Sequence, residues 1–347
     1  MKKILFLALI VLSQNVTGQE AIVPQSALEK VADFKGQQVT GISLSDTGRI
    51  FANFPRWRRN VEYSVVEIGE NREAAPYPNA QWNSWKVGDK DQDSIFVAVQ
   101  SVISSEEELF VLDTRNPLFK GVVSNPRIFV FDLESNKLKH IYELGDDSFY
   151  RDSYINDLRV DRTNNHIYLT DSNHAGLVVI DLETGESQRV LSDHYSTLAE
   201  TDELTINGKQ YRNTIHSDGI ALDEAEGLLY YHSLTGYTLY TVPTKILRDG
   251  SKEEIQKAVK EVAKTTAPDG MILNSDGMLY LADLENNAIM RYNTNSGEQE
   301  VLAQGEKIRW ADTFSIYNGY LYFTNSRINE VKGDISNMDF SIYRIKL

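Results

Sequence analysis

Residues 267–293 read APDGMILNSDGMLYLADLENNAIMRYN and contain one complete β-hairpin pattern. An apolar run at 271–273 leads into the turn NSDG at 274–277, and a strand of alternating character follows at 278–283. Asp-Gly between two apolar runs is a strong hairpin signal, because glycine supplies the positive φ angle that the turn requires. A polar turn and a further strand at 288–292 complete the unit.

The same turn-and-strand pattern recurs along the chain. Six turn marks carry it: Gly48, Glu108, Asn165, Gly227, Gly277 and Gly319. Self-similarity at a spacing of about 50 residues, with several strands in each unit, is typical of a β-propeller. The pattern therefore predicts an all-β fold, a six-bladed β-propeller with four-stranded blades around a central channel. The alternative is a β-sandwich with coincidental turns, although sandwiches rarely need so many evenly spaced hairpins.

The N-terminal segment has the pattern of a secretory signal peptide. Residues 1–18 combine a basic start, MKK, with an uncharged apolar run at 4–12 and small residues near 16–18. That run is too short to span a bilayer. We predict a signal peptide at 1–18, a single propeller domain at 19–347, and a secreted or periplasmic location. Residues 20–34 are predicted to form a strand or arm that pairs with the last blade and closes the ring.

Composition limits the chemistry and the partners. The chain has 347 residues, no cysteine and a formal net charge of −15. The lack of cysteine excludes thiolate catalysis, thiolate metal sites and lipid attachment through an N-terminal cysteine. Strong acidity makes nucleic acid and anionic membrane surfaces poor partners, and no later stretch is long and apolar enough for membrane insertion. Cationic small molecules and divalent cations suit this charge better, although solubility alone also explains it.

Two segments depart from the strand pattern. Residues 251–264, SKEEIQKAVKEVAK, have apolar residues at helical spacing, and Ser251 with Glu254 matches a capping box. This pattern predicts one short surface helix between blades four and five. Residues 193–213 are predicted to be a loop before blade four.

Acidic and amide residues occur at matched positions before four of the turns. They lie in the segments Asn156-Asp157, Ser217-Asp218-Gly219, Pro268-Asp269-Gly270 and Ala311-Asp312-Thr313. The first strand of each propeller blade lines the channel, so equivalent positions of different blades converge at one channel mouth. A ring of oxygen atoms there suits Ca²⁺ or another divalent cation, and Asn156, Asp218 and Asp269 are the candidate metal ligands.

The same ring has other interpretations. It can hold the amine of a ligand, or position a water molecule with Asp218 or Asp269 as the candidate general base. The structural alternative is that each acidic residue caps a turn by accepting hydrogen bonds from nearby backbone amides.

Other side chains give weaker signals. The aromatic residues Trp57, Trp310, Phe314 and Tyr231 either pack between blades or wall a channel pocket that stacks on an aromatic ligand. His216 and His232 lie near the ring in sequence, but no histidine spacing typical of metal ligands occurs. A Ser-His-Asp arrangement has no support, because the chain contains no Gly-x-Ser-x-Gly motif.

Several short motifs carry a family resemblance. In chain order they include FPRW at 54–57, PYP at 76–78, LFVLDTR at 109–115, YLTD at 168–171, WADT at 310–313 and NSR at 325–327. Together they cover nearly all of residues 19–347, and the chain resembles a bacterial member of the Yellow / major royal jelly protein family. This resemblance implies a secreted six-bladed propeller, in agreement with the turn count.

The functional implication of the resemblance is broader. Members of the family include insect proteins linked to melanin chemistry through dopachrome conversion, nutritional proteins, and salivary proteins that bind biogenic amines in the central channel. Transfer of the amine pocket implies Phe314, Phe323 and Asn325 as ligand contacts. The chain lacks the cysteines that form disulfides in animal members, so an animal host role is not transferred.

The chain is also similar, more distantly, to the gluconolactonase/regucalcin propellers. In those proteins a Glu, two Asn and an Asp hold a divalent metal. Asn156, Asp218 and Asp269 resemble three of these four positions. The glutamate position falls near Thr40, so the acid is lost here, which weakens the case for a lactonase-type metal site.

Three functional hypotheses follow. The first is a propeller that binds a small aromatic or cationic molecule at the channel mouth. In it, Asp218, Asp269 and Asp312 supply charge, Asn156 and Asn325 supply hydrogen bonds, and Phe314 supplies a stacking surface; Phe323 is a further contact. The second is an enzyme, either a metal-assisted lactonase-type hydrolase or a dopachrome-type tautomerase. The third is a non-catalytic propeller that binds a protein partner.

Overall fold

The described part of the chain forms a six-bladed propeller. The structure is a computed structural model that describes residues 22–90 and 92–347, so the predicted signal peptide lies outside the described residues. Six four-stranded antiparallel sheets are arranged as blades in a ring. Each first strand packs against the first strands of the two neighbouring blades. The predicted all-β, six-bladed architecture is therefore confirmed.

The strands follow the chain from the channel outward within each blade. The first strand, β1 (Glu29–Lys35), precedes all the blades. Blade one consists of β2 (Gly41–Leu44), β3 (Ile50–Asn53), β4 (Val65–Ile68) and β5 (Ala74–Pro76). Blade two consists of β6 (Val99–Ser105), β7 (Glu108–Asp113), β8 (Arg127–Asp132) and β9 (Lys137–Glu143). Blade three consists of β10 (Ile155–Asp161), β11 (His166–Asp171), β12 (Gly176–Asp181) and β13 (Ser187–Val190).

The second half of the chain begins with a hairpin and ends with the closing blade. The hairpin consists of β14 (Glu203–Ile206) and β15 (Lys209–Arg212). Blade four consists of β16 (Ser217–Asp223), β17 (Leu228–Ser233), β18 (Thr238–Pro243) and, after the helices α1 (Thr244–Asp249) and α2 (Lys252–Ala258), β19 (Lys260–Lys264). Blade five consists of β20 (Met271–Leu273), β21 (Met278–Asp283), β22 (Ala288–Asn293) and β23 (Gln299–Gln304). Blade six contains β24 (Ala311–Tyr317), β25 (Tyr320–Asn325) and β26 (Asp339–Lys346).

Blade six is completed by the strand from the N-terminal side. β1 pairs antiparallel with β26, with Glu29 opposite Arg344 and Phe34 opposite Phe340. The predicted ring closure is therefore confirmed. Because β1 pairs with β26, blade six has four strands like the other blades, with β1 as its outer strand.

The alternation along each strand explains why both faces of a blade are buried. In β11, Ile167 and Leu169 pack with blade two, whereas Tyr168 between them packs with blade four. Successive side chains of a strand point to opposite faces. Apolar side chains on both faces therefore join each blade to its two neighbours and form a core between every pair of sheets.

The prediction of one helix over 251–264 was right at its N-terminal end and wrong at its C-terminal end. The capping box is present, since Ser251 Oγ accepts a hydrogen bond from the Glu254 backbone N–H and Glu254 bonds back to Ser251. However, helix α2 ends at Ala258, and β19 then pairs with β18 as the outer strand of blade four. A second helix, α1, precedes α2 and was not predicted. None of the described helices is long and apolar enough to cross a membrane.

The hairpin β14–β15 replaces part of the predicted loop at 193–213. Its two-residue turn is Asn207-Gly208, and both residues have positive φ angles of 52° and 70°. Two successive positive φ angles are typical of a type I′ hairpin turn, for which Asn-Gly is the preferred pair. Leu204 and Ile206 are buried against Trp310 and its neighbours. The hairpin is therefore packed onto the propeller rather than free in solvent.

The closure of the ring gives a stability prediction. Ala32 lies in β1 opposite Ile342 and is buried in the core between blades one and six. Ala32→Asp places a charge among apolar side chains, so we expect the free energy of unfolding to fall by about 3 kcal/mol in denaturant titration. The exposed change Lys30→Asp on the same strand is the control, and equal losses from both variants would contradict a buried role for β1.

Candidate functional site

The first strands of the blades direct polar side chains to one channel mouth. A β-bulge occurs near the start of β6, β10, β16 and β24. A bulge interrupts the ladder and re-aims a side chain. The bulged segments carry Gln100, Asn156, Asp218 and Asp312, and Asp269 occupies the corresponding place just before β20. All five side chains line one cavity of about 510 Å³.

Two threonines on second strands hold the bulges against the neighbouring blade. Thr170 Oγ1 accepts a hydrogen bond from the backbone N–H of Asp157 at 3.3 Å and donates to the carbonyl oxygen of Asp218 at 2.8 Å. Thr324 Oγ1 accepts from the N–H of Thr313 at 3.2 Å and donates to the carbonyl oxygen of Thr40 at 2.7 Å. These hydrogen bonds tie the segments that carry Asn156, Asp218 and Asp312 to adjacent blades.

A continuous chain of hydrogen bonds crosses the cavity from blade to blade. Trp57 Nε1 donates to Tyr154 OH at 2.5 Å, and Tyr154 OH donates to Gln100 Oε1 at 2.6 Å. Gln100 Nε2 donates to Asn156 Oδ1 at 2.9 Å, and Asn156 Nδ2 donates to Asp218 Oδ1 at 2.6 Å. Trp57, Tyr154, Gln100, Asn156 and Asp218 are thus linked by four consecutive side-chain hydrogen bonds.

The hydrogen-bonded chain continues through two carboxyl groups. The Asp218 and Asp269 side chains are hydrogen-bonded to each other, which requires a proton between them. Trp310 Nε1 donates to Asp269 Oδ2 at 2.5 Å. Asp312 lies beside this pair with only 9% of its surface exposed, and its Oδ2 has no hydrogen-bond partner within the described residues. Among the described residues, one buried oxygen atom of Asp312 therefore lacks a hydrogen-bond partner.

Burial controls the protonation of this carboxyl cluster, which consists of Asp218, Asp269 and Asp312. Desolvation is the largest cause that raises the pKa of each group, and for Asp269 it raises the pKa to about 7. The negative charges of Asp269 and Asp312 raise the pKa of Asp218 further, and the charge of Asp269 does the same for Asp312. The cluster therefore retains protons at a pH at which ordinary aspartates are ionised.

Aromatic side chains form much of the remaining cavity lining. Trp57, Phe119, Tyr154, Tyr211 and Trp310 all contribute. Phe119 is 58% exposed, yet its ring stacks on Trp57 with centroids 5.7 Å apart and lies 4.7 Å from Tyr154. Leu118 and Phe119 both have positive φ angles, 62° and 53°, which are costly for residues with a side chain. The insertion between β7 and β8 therefore presents Phe119 at the cavity in a strained backbone.

The structure brings together only some of the predicted site residues. Asn156, Asp218, Asp269 and Asp312 share the cavity, and Trp57 and Trp310 wall it. The residues transferred from the family resemblance lie elsewhere: Phe314 and Phe323 are buried in the core beside blade six.

Asn325 and the two histidines also have structural partners. Asn325 Oδ1 accepts from the Arg309 N–H at 2.9 Å, and its Nδ2 donates to the Lys307 carbonyl at 2.7 Å, so this amide fixes the segment that enters β24. His216 Nδ1 accepts from the Ala199 N–H at 3.0 Å. His232 is fully buried, and burial lowers its pKa to about 4. None of the three lines the cavity.

Sequence reasoning missed several residues of the site. Tyr211 comes from the hairpin β14–β15 and packs edge to face on Trp310 at 5.0 Å. The Asn-Gly pair at 207–208 was an available signal for that hairpin. Arg58, Gln100, Tyr154 and Phe119 had no comparable signal, because their approach to the cavity depends on contacts between blades.

The predicted metal ligands do not fit a divalent cation in this arrangement. The Asn156 oxygen already accepts from Gln100, and Asn156 donates to Asp218. The Asp218 and Asp269 side chains are hydrogen-bonded to each other. Among residues 22–90 and 92–347 there is no group of three or more His, Cys, Asp or Glu side chains placed to hold a metal ion. We therefore derive no chemical step through a metal.

The fold and the cavity define a class of β-propeller with a ligand-sized site at one mouth of its channel. The family described as "Major royal jelly protein" matches residues 93–347. The chain belongs to this family. It is 26% identical to Major royal jelly protein 3 of Apis mellifera over 67% of the chain and 44% of that protein. It is 24% identical to Protein yellow of Drosophila melanogaster over 74% of the chain and 51% of that protein. The chain thus spans about half the length of these relatives.

Solved structures share the fold at low sequence identity. The chain is 14% identical to a luciferin-regenerating enzyme, with a TM-score of 0.58 over 92% of this chain and 95% of the other. It is 13% identical to a gluconolactonase from Xanthomonas campestris, with a TM-score of 0.56 over 92% and 89% of the two chains. Virginiamycin B lyase from Staphylococcus aureus is 14% identical, with a TM-score of 0.52 over 92% and 99%. At these identities the similarity concerns the fold alone.

The protonated cluster gives a prediction about pH. Between about pH 4 and 7 the native protein keeps a proton on Asp269 that the unfolded chain has lost, so the free energy of unfolding should fall as pH rises through this window. Asp269→Asn removes the titrating group. We expect the free energy of unfolding of this variant to fall less steeply with rising pH than that of the wild type. The two slopes should differ by up to about 1.4 kcal/mol per pH unit.

The measurement is denaturant unfolding at several pH values from 4 to 8.5. Asp46→Asn, at an exposed turn, is the control for loss of one formal charge. Parallel pH curves for the wild type and Asp269→Asn would show that Asp269 does not titrate in this window.

Proposed function

We propose that this protein binds a small aromatic cation at the mouth of its channel. The observation that carries the proposal is the unpartnered, buried Oδ2 of Asp312 beside the carboxyl pair of Asp218 and Asp269. No arginine, lysine or histidine of the described residues compensates these three acids. Buried carboxyl groups ionise only at a cost, and a cationic ligand beside them would stabilise their ionised form.

The aromatic residues support the same class of ligand. A cation near an aromatic ring face is stabilised by roughly 0.5 to 2 kcal/mol, and aromatic rings of a ligand gain from stacking. Trp57, Phe119 and Tyr154 form one group of rings, and Tyr211 with Trp310 forms another. A cavity of about 510 Å³ lies within the range usual for small-molecule sites.

The proposal includes export from the cell. The N-terminal residues 1–18 have the composition of a signal peptide, and the acidic chain lacks cysteine. Nucleic acid and membrane insertion have no part in the proposal. Mass spectrometry of the protein recovered from the medium or the periplasm tests it: a chain that begins near Gln19 is expected, and a cytoplasmic chain with Met1 retained would contradict it.

A second candidate function is proton transfer on a bound ligand, as in a tautomerase of the dopachrome type. The observation that favours it is the hydrogen-bonded pair Asp218 and Asp269, because burial raises the pKa of Asp269 to about 7. An acid with a pKa near the working pH serves well as a general acid or base. A metal-assisted lactonase has less support, because the predicted ligands are committed to other hydrogen bonds. A propeller with a protein partner is the remaining alternative.

Calorimetry with phenethylamine, an aromatic cation, tests the binding proposal against 2-phenylethanol, its uncharged analogue. We expect phenethylamine to bind more tightly, and Asp312→Asn to weaken phenethylamine selectively, because only the cation interacts with that carboxylate. Phe119→Ala should weaken both ligands by roughly 3- to 30-fold, the equivalent of about 0.7 to 2 kcal/mol.

Tyr195→Ala is the matched control for Phe119→Ala, since Tyr195 is equally exposed but does not line the cavity. Equal binding of the cation and the alcohol would exclude a cation site. Catalysed loss of dopachrome absorbance that Asp269→Asn abolishes would favour the tautomerase instead. Saturable binding to a protein partner with no small-molecule binding would favour the third alternative.

A further inference from the structure

One cation lies in the same cavity as the carboxyl cluster. Arg58 follows Trp57 directly, is half-buried and lines the cavity. Its guanidinium has one hydrogen bond within the described residues, from Nη1 to Gln38 Oε1 at 2.5 Å, and it forms no ion pair there. Its neighbour Arg59 is exposed and lies outside this cavity. Most donors of the Arg58 guanidinium are therefore free to contact a ligand.

Arg58 is held in place by a buried amide. Gln38 is 4% exposed, and its Nε2 donates to the carbonyl oxygen of Ser326 at 2.7 Å. This hydrogen bond leaves the Gln38 side-chain oxygen directed at Arg58. The guanidinium is thus positioned before any ligand arrives, which lowers the entropic cost of binding. A preorganised arginine without a carboxylate partner is well suited to an anionic group, which it can bind through two parallel hydrogen bonds.

Among the described residues, no acid that lines the cavity forms an ion pair with Arg58. Burial raises the pKa of all three groups of the carboxyl cluster, so the cluster carries less negative charge than three ordinary aspartates. Burial removes the Arg58 guanidinium from water and thereby lowers its pKa. No carboxylate of the described residues pairs with it to offset this cost. A ligand with only a positive charge would use the carboxyl cluster and leave Arg58 unsatisfied.

We infer that the ligand is amphoteric: an aromatic molecule whose ammonium group meets Asp218, Asp269 and Asp312 and whose carboxylate meets Arg58. An aromatic α-amino acid is the simplest molecule of this class. The inference rests on the proposed function and narrows its ligand class. The rings of Trp57 and Phe119 stack on each other, line the same cavity as Arg58 and would contact the ring of such a ligand.

Two probes that differ by one carboxylate test the inference. L-Phenylalanine carries both charges, and phenethylamine is the same molecule without the carboxylate. We expect calorimetry at pH 7 to give at least about tenfold tighter binding of phenylalanine, the usual gain from a charge-assisted bidentate contact. Arg58→Gln should remove this preference and leave phenethylamine binding within about threefold of the wild type.

Two further variants separate the role of Arg58 from general effects. Arg59→Gln is the matched control and should leave both affinities unchanged. Arg58→Lys keeps the charge but loses the planar fork, so it should restore part of the preference. Melting curves of all three variants check that each one is folded. We expect all three to be folded, because Arg58 makes no ion pair within the described residues.

The failure of this inference is distinguishable from the failure of the proposed function. If phenethylamine binds as tightly as phenylalanine, or if Arg58→Gln weakens both ligands equally, the amphoteric assignment is overturned and the cation site remains. If neither probe binds while all variants are folded, the proposed function and this inference are both overturned.

Discussion

The close approach of the first strands around the channel is the constraint on which the site depends. Gly219 and Gly270 each follow an aspartate of the carboxyl cluster. A Cβ atom on Gly219 would lie 3.0 Å from the carbonyl oxygen of Asp269, and one on Gly270 would lie 2.8 Å from that of Asp312. Blades four, five and six therefore meet backbone to backbone, with no room for a side chain between them. This packing forces Asp218, Asp269 and Asp312 into one small volume.

Such crowding opposes stability. Three carboxyl groups that are close together and removed from water cannot all ionise, so they share protons and hydrogen bonds. The chain from Trp57 through Tyr154, Gln100 and Asn156 satisfies the polar atoms around them, and Asp312 Oδ2 is the exception. Apolar residues of similar size would pack there at lower cost. An arrangement that costs stability and leaves one acceptor open is typical of a site shaped by its ligand.

The sequence predicted the parts of this arrangement that depend on periodicity. Turn spacing gave the six blades, and equivalence between blades gave Asn156 and the three aspartates. Phe314 and Phe323, which the family resemblance implies as ligand contacts, pair across β24 and β25 beyond the bulge, and both side chains are buried in the core. Arg58, Phe119 and Tyr211 come from connecting segments whose course is set by tertiary contacts. The helix at 251–264 was overextended because blade four needed an outer strand, and this pairing outweighed local helical spacing.

The division between strands and connecting segments also explains how one fold accommodates different chemistry. The solved propellers that resemble this chain have 13 to 14% identity and names as different as a lactonase and a lyase. Their common feature is the ring of first strands, which brings a fixed set of positions to one channel mouth. In this chain those positions supply the carboxyl cluster, whereas Phe119, Tyr211 and Arg58 come from segments between the first strands. The first strands therefore determine where the carboxyl groups lie, and under the proposed function the connecting segments select the molecule that reaches them. Since burial raises the pKa values of the cluster, a cation bound there under the proposed function would displace protons, and its affinity would be coupled to pH by the same carboxyl groups.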